Sequence, residues 1–60
     1  MEQMVRILVS EDMLGTAMSI LDDLLIINEA DGGGRIMVRD NDLGAAVSIL
    51  EENGIDADII

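Results

Sequence analysis

Residues Arg6 to Ile26 and Arg35 to Ile55 are two writings of one segment, 29 positions apart. Ten of the 21 aligned positions are identical: Arg6/Arg35, Ile7/Ile36, Val9/Val38, Leu14/Leu43, Gly15/Gly44, Ala17/Ala46, Ser19/Ser48, Ile20/Ile49, Leu21/Leu50 and Ile26/Ile55. Asp22/Glu51 and Asp23/Glu52 are mild exchanges. Such a repeat demands one local solution used twice, with the two copies closing around a shared apolar layer. The 60 residues read as a single domain, residues 1–60, whose halves 4–30 and 35–60 are joined by a glycine-rich turn at 31–34.

Met4 to Ser10 is rich in β-branched residues, with Val5, Ile7 and Val9 on one face and Arg6 and Ser10 on the other, which predicts a strand. Ser10, Glu11 and Asp12 supply capping oxygens for a helix from Met13 to Asp23. Its buried stripe is Leu14, Ala17, Met18, Leu21 and Leu24, with Ile20 at the edge. Leu24 to Glu29 reads as a second strand, although Leu24 and Leu25 suit helix or strand equally. The turn 31–34 contains Gly32, Gly33 and Gly34, which accept positive φ without a side-chain penalty. Arg35 to Arg39 is the third strand, with Ile36 and Val38 inward. Asp40, Asn41 and Asp42 cap a second helix with the stripe Leu43, Ala46, Val47 and Leu50, and Gly54 is placed to end it. Ile55 to Ile60 alternates as a half-buried edge strand. The order is βαββαβ, an α+β chain. Right-handed crossovers put both helices on one face of a four-stranded antiparallel sheet, the ferredoxin-like arrangement with an internal βαβ duplication, the first and third strands central.

Alternation along those central strands sends Arg6, Leu8, Arg35, Met37 and Arg39 to the face without helices. All the positive charge of the chain converges there. Three readings stay open. Cross-strand ion pairs with Asp56, Asp58 and Glu29 would simply solvate the face. An anion, carboxylate or phosphate, would engage the arginines. A self-association surface would use Leu8, Met37, Ile27 and Ile60, because a small domain with apolar residues on its open face gains by pairing.

Gly15 and Gly44 fall in the first turn of each helix, where glycine costs up to about 1 kcal/mol in propensity and so needs a reason. Close packing of helix on strand is one reason; contact between a ligand and the free helix amides is the other. Asp12-Met13-Leu14-Gly15-Thr16-Ala17-Met18 resembles the opening of the first helix in the ACT domain, a small regulatory module that binds amino acids. Asn53-Gly54-Ile55-Asp56 is similar to that family's passage from helix into strand. Leu14 stands where the family usually carries proline, and Leu24 to Asn28 lacks the corresponding glycine. The resemblance implies a βαββαβ fold, pairing of two copies, and a small amino acid held at a subunit interface near Asp12, Leu14, Gly15 and Thr16.

Composition bounds the rest. No cysteine and no histidine occur, which excludes a disulfide framework and the usual zinc sites. A net charge of −10 repels phosphate backbones and anionic lipid, so neither nucleic acid nor membrane is an expected partner. No apolar run approaches the roughly 18 residues of a membrane span, and no basic stretch followed by an apolar one opens the chain. A soluble, cytoplasmic chain is expected if the protein is natural. Asp40, Asn41, Asp42 and Glu51 trace the outline of a calcium loop, but Ala45 stands where its turn requires glycine, so no metal is expected. Without His, Cys, Lys or Tyr, acid–base chemistry is confined to carboxylates. Without aromatics, the central strands cannot stack RNA bases. No enzyme and no cofactor is expected. Lys, Phe, Tyr, Trp, His, Pro and Cys are all missing, an alphabet narrower than a salt-adapted surface would require and equally the mark of an engineered or reconstructed scaffold with no natural ligand. The expected function is a non-catalytic ACT-type module acting as a homodimer, with that scaffold as the alternative.

Overall fold

The computed structural model describes residues 3–60. The chain runs through β1 (Met4–Leu8), a 3-10 turn (Glu11–Met13), α1 (Leu14–Asp23), β2 (Asn28–Ala30) and β3 (Arg35–Arg39). A second 3-10 turn (Asp40–Asp42), α2 (Leu43–Glu52) and β4 (Asp58–Ile59) complete it. The strands form one antiparallel sheet in the order β2-β3-β1-β4, with β1 and β3 central as the repeat predicts. Ala17 and Leu21 of α1 and Ala46 and Leu50 of α2 share one core with Ile7, Val9, Ile36 and Val38 of the sheet, so both helices lie on the same face. The fold is the ferredoxin-like one.

Strand register shows how closely the halves match. β1 and β3 pair as Val5↔Val38, Arg6↔Met37, Ile7↔Ile36 and Leu8↔Arg35. Moving every residue to its counterpart 29 positions away returns this register unchanged, with Ile7↔Ile36 mapped onto itself. The edge strands obey the same operation: Glu29↔Met37 and Ala30↔Ile36 become Asp58↔Leu8 and Ile59↔Ile7. A pseudo-twofold axis therefore passes through the Ile7–Ile36 pair, and both of these side chains are fully buried. Ten of the eleven buried apolar residues fall into five identical pairs: Ile7/Ile36, Val9/Val38, Ala17/Ala46, Leu21/Leu50 and Ile26/Ile55. The eleventh, Ala57, has Asn28 as its counterpart. Half of the ten identities in the repeat thus lie in the buried core.

The triple glycine closes the β2–β3 hairpin, and all three residues take the left-handed region, at φ 86°, 56° and 80°. Gly34 alone meets a steric demand as well: a Cβ there would lie 2.3 Å from the carbonyl oxygen of Val9. Val9 N–H in turn donates to the Gly34 carbonyl at 2.9 Å, which carries the β1–β3 pairing past Leu8. β1 ends at Leu8, short of the expected Ser10, yet Val9 stays buried.

Several boundaries differ from expectation. The residues from Ser10 to Asp12 and from Asp40 to Asp42 do not cap through side chains; each helix is entered through a 3-10 turn without a side-chain cap bond. In the first, Met13 N–H donates to the Ser10 carbonyl at 2.9 Å, so a backbone bond does the work of the cap. Leu24 is no part of the buried stripe: it is the C-cap of α1 and 51% exposed. Leu24 to Ile27 is a turn and connection, and β2 begins only at Asn28 and extends through Ala30. The competing element is a Schellman cap. Leu25 N–H donates to the Asp22 carbonyl at 2.9 Å and Ile26 N–H to the Leu21 carbonyl at 2.9 Å. At the other edge the strand proper is only Asp58–Ile59 within the run from Ile55 to Ile60, and Ile59 is exposed although Ile55 and Ala57 are buried.

Candidate functional site

Two regions carry the residues singled out by sequence. The first is the start of α1. Asp12, Gly15 and Thr16 are exposed there, while Leu14 is half-buried against the core. The four fall within the five residues from Asp12 to Thr16, across the 3-10 turn and the start of α1, and present a carboxylate, a hydroxyl and a bare stretch of backbone to solvent. A Cβ added at Gly15, or at Gly44 in the second half, would meet nothing within 4 Å. Close packing of helix on strand is therefore not what these glycines serve. What they do leave is a stretch of backbone without side-chain cover at the end of the helix where partial positive charge collects, with the Met13 and Leu14 amides already bonded to the Ser10 and Glu11 carbonyls.

The second region is the open sheet face. Register sets its rows: Glu29, Met37 and Arg6 stand side by side across β2, β3 and β1, and Arg35, Leu8 and Asp58 across β3, β1 and β4. Arg39 faces Met4 in the next row. The five expected residues, Arg6, Leu8, Arg35, Met37 and Arg39, do share this face. Their ionic partners are not those expected. Glu29 and Asp58 stand opposite Met37 and Leu8, not opposite an arginine, and Asp56 precedes β4 altogether.

Asp31, at the foot of the hairpin loop, takes their place. Arg6 Nε donates to its Oδ2, and Arg35 Nε lies 3.9 Å from the same oxygen. The hydrogen bond from Arg6, reinforced by the charges of Arg6 and Arg35, holds the Asp31 carboxyl below the usual carboxylate range, against a smaller opposing effect of desolvation. Arg39 turns to the far end of the face, where Nε donates to Asp42 Oδ2 at 2.9 Å and Nη2 lies 2.8 Å from it. The face thus joins Arg6 and Arg35 around one carboxylate and leaves Arg39 apart from them. Leu8 and Met37 fill the middle, half-buried.

A third region emerges only from the structure. Leu25 sits at φ 59° and is 88% exposed, flanked by Leu24 and by Ile27 at 56%. Its counterpart 29 positions on is Gly54, at φ 77°. Gly54 N–H donates to the Glu51 carbonyl at 3.0 Å and Ile55 N–H to the Leu50 carbonyl at 2.9 Å, the same two bonds that close α1. Aligning Leu25 with Gly54 in the repeat was the signal for this turn. Nothing in the residue types around Asp31 marked it as the shared partner.

Among the described residues, no group of three or more carboxylates is placed to hold a metal ion, and Asp40, Asn41 and Asp42 form a 3-10 turn, not an ion-binding loop. No helix among them is long and apolar enough to cross a membrane. Compared with known proteins, the chain matches no protein-family model, no curated protein and no solved structure.

Proposed function

We propose that the chain is a non-catalytic, ACT-type binding module that holds a small amino acid at the first turn of α1 and works as a pair of copies. The observation that carries this reading is Gly15: it is exposed, a Cβ there would meet nothing within 4 Å, and it costs helix propensity without a return in packing. A zwitterion suits the turn, its carboxylate at the positive end of the helix beside Gly15 and its ammonium beside Asp12. Pairing would use the open sheet face, where the arginines offset the acidic charge of the rest and Leu8 and Met37 offer the apolar centre.

Thermal melting against a panel of amino acids tests the ligand. One of them, at about 100 times its dissociation constant, should stabilise the fold by about 2.7 kcal/mol. Gly15→Ala should raise the unliganded stability by roughly 0.5–1 kcal/mol and abolish that response, whereas Gly44→Ala should raise stability and leave the response intact. A panel without a single shift defeats the ligand reading. Light scattering that finds one copy defeats the pairing.

A second reading is favoured by the five identical core pairs, a degree of internal symmetry that packing alone does not demand. In it the chain is a reduced-alphabet scaffold, engineered or reconstructed, whose purpose is its fold. Flat melting across the panel, with variants at Gly15 and Gly44 behaving alike, is its signature.

A further inference from the structure

The end of α1 and the outer edge of β2 carry an apolar surface that the fold does not require. Leu24, Leu25 and Ile27 are 51%, 88% and 56% exposed. The same backbone, closed by the same two hydrogen bonds, holds Asn53, Gly54 and Asp56 in the second half. There Asn53 Nδ2 donates to the Ile49 carbonyl at 2.8 Å and glycine takes the left-handed position without strain. Polar and glycine residues therefore satisfy this turn, and the first half holds three apolar side chains against both solvation and backbone preference. Leu25 departs furthest, since a left-handed conformation is disfavoured for any residue with a Cβ.

Charge around the patch identifies what would cover it. Asp22 and Asp23 precede Leu24 and Glu29 follows Ile27, all exposed. The three arginines lie on β1 and β3 and are engaged with Asp31 and Asp42. A second copy brought to this patch would set these carboxylates against their own kind, in a chain of net charge −10. β2 is moreover an edge strand, paired with β3 on one side only, so its other side offers main-chain groups to an added strand.

We propose that this edge docks an extended, basic segment of another protein that carries both apolar residues and Lys or Arg. The segment pairs along β2, lays its apolar side chains on Leu24, Leu25 and Ile27, and directs its cations to Asp22, Asp23 and Glu29. The free edge of β2 supplies the main-chain register, and the apolar contact supplies affinity that charge alone does not.

The probe is a short peptide alternating lysine with leucine and carrying one tryptophan, whose fluorescence is unobscured because the protein has none. The variant is Leu24→Asn, Leu25→Gly and Ile27→Asp together, which writes the second half's residues onto the first half's backbone and adds one negative charge. Circular dichroism and melting establish that it folds, and Leu25→Gly alone serves as a second, charge-neutral variant. Wild type should bind the peptide, more weakly as salt rises. The triple variant should lose at least about tenfold in affinity despite its extra charge, with Leu25→Gly in between. Equal or tighter binding by the triple variant would reduce the effect to bulk charge and overturn the proposal. So would failure of the wild type to bind at low salt. Self-association of the wild type that Leu25→Gly alone abolishes would overturn it too, by making a second copy the occupant. Self-association that survives the triple variant belongs to the open sheet face and, with peptide binding lost, agrees with the proposal.

Discussion

The ends of α1 and α2 follow one backbone path with opposite chemistry. After Asp23 come Leu24 and Leu25; after Glu52 come Asn53 and Gly54, and both turns deliver a buried isoleucine, Ile26 or Ile55, into the core. The path is therefore set from outside the turn, by the two hydrogen bonds back to the helix and by burial of the isoleucine that follows. The residue in the left-handed position accommodates to it. Gly54 does so without strain, and Leu25 does so at a cost. A repeat can thus preserve geometry at a position where it has abandoned the residue type that geometry prefers.

That equivalence can be broken first at the core. Leu21 and Leu50 are counterparts, both fully buried, so Leu21→Ala and Leu50→Ala should each cost about 3 kcal/mol. Urea denaturation should find the two losses within about 1 kcal/mol of each other. A much larger gap would mean that the halves differ energetically even though their registers coincide. Next come the left-handed glycines. Gly54→Ala meets open space and should cost only the backbone penalty, roughly 1 kcal/mol. Gly34→Ala adds a collision with the Val9 carbonyl and should cost about 2 kcal/mol or more. Equal losses would show that the loop shifts to admit the methyl group.

A smaller effect of the opposite sign is expected at Leu25. Leu25→Gly relieves the left-handed strain but gives the unfolded chain more freedom, so the net gain should be about 0.5–1 kcal/mol, seen as a higher melting temperature. A loss of stability would show that the exposed leucine packs more than its surface indicates. The smallest effect concerns Asp31, whose counterpart 29 positions on is the uncharged Ile60. Its carboxyl is more acidic in the folded chain than the ordinary value of 3.8. The stabilisation it lends is therefore present above that value and fades as pH falls through the lower, folded one. Asp31→Asn should flatten this part of the acid limb in pH-dependent melting; an unchanged limb would assign it to the other carboxylates.

Much of the architecture could be read from residues because the core and the repeat coincide. Ile7, Val9, Ala17, Leu21 and Ile26 recur in the second half, and periodicity alone put most of them inward. The end of α1 could not be read that way. Leu24-Leu25-Ile26-Ile27 is a continuous apolar run, and such a run has no period to distinguish strand from helix end. Only comparison with Asn53-Gly54-Ile55-Asp56 exposes the turn within it. The helix entries failed for a different reason: Ser10 and Asp42 are good capping residues, but a 3-10 turn satisfies the same amides from the backbone, and Asp42 is drawn to Arg39. At the open face, alternation gave the membership and missed the pairing, since pairing depends on which row each carboxylate joins.

The hydrogen bond from Ile60 N–H to the Arg6 carbonyl, 3.2 Å long, matches the one from Asp31 N–H to the Arg35 carbonyl that shuts the hairpin. In spatial terms Ile60 returns to β1 as the hairpin returns to β3. A ring could be made by bridging Ile60 to Met4 with glycines, and then reopened between Gly32 and Gly33. The rewired chain would begin on β3 and finish on β2, with every strand still beside its present neighbours.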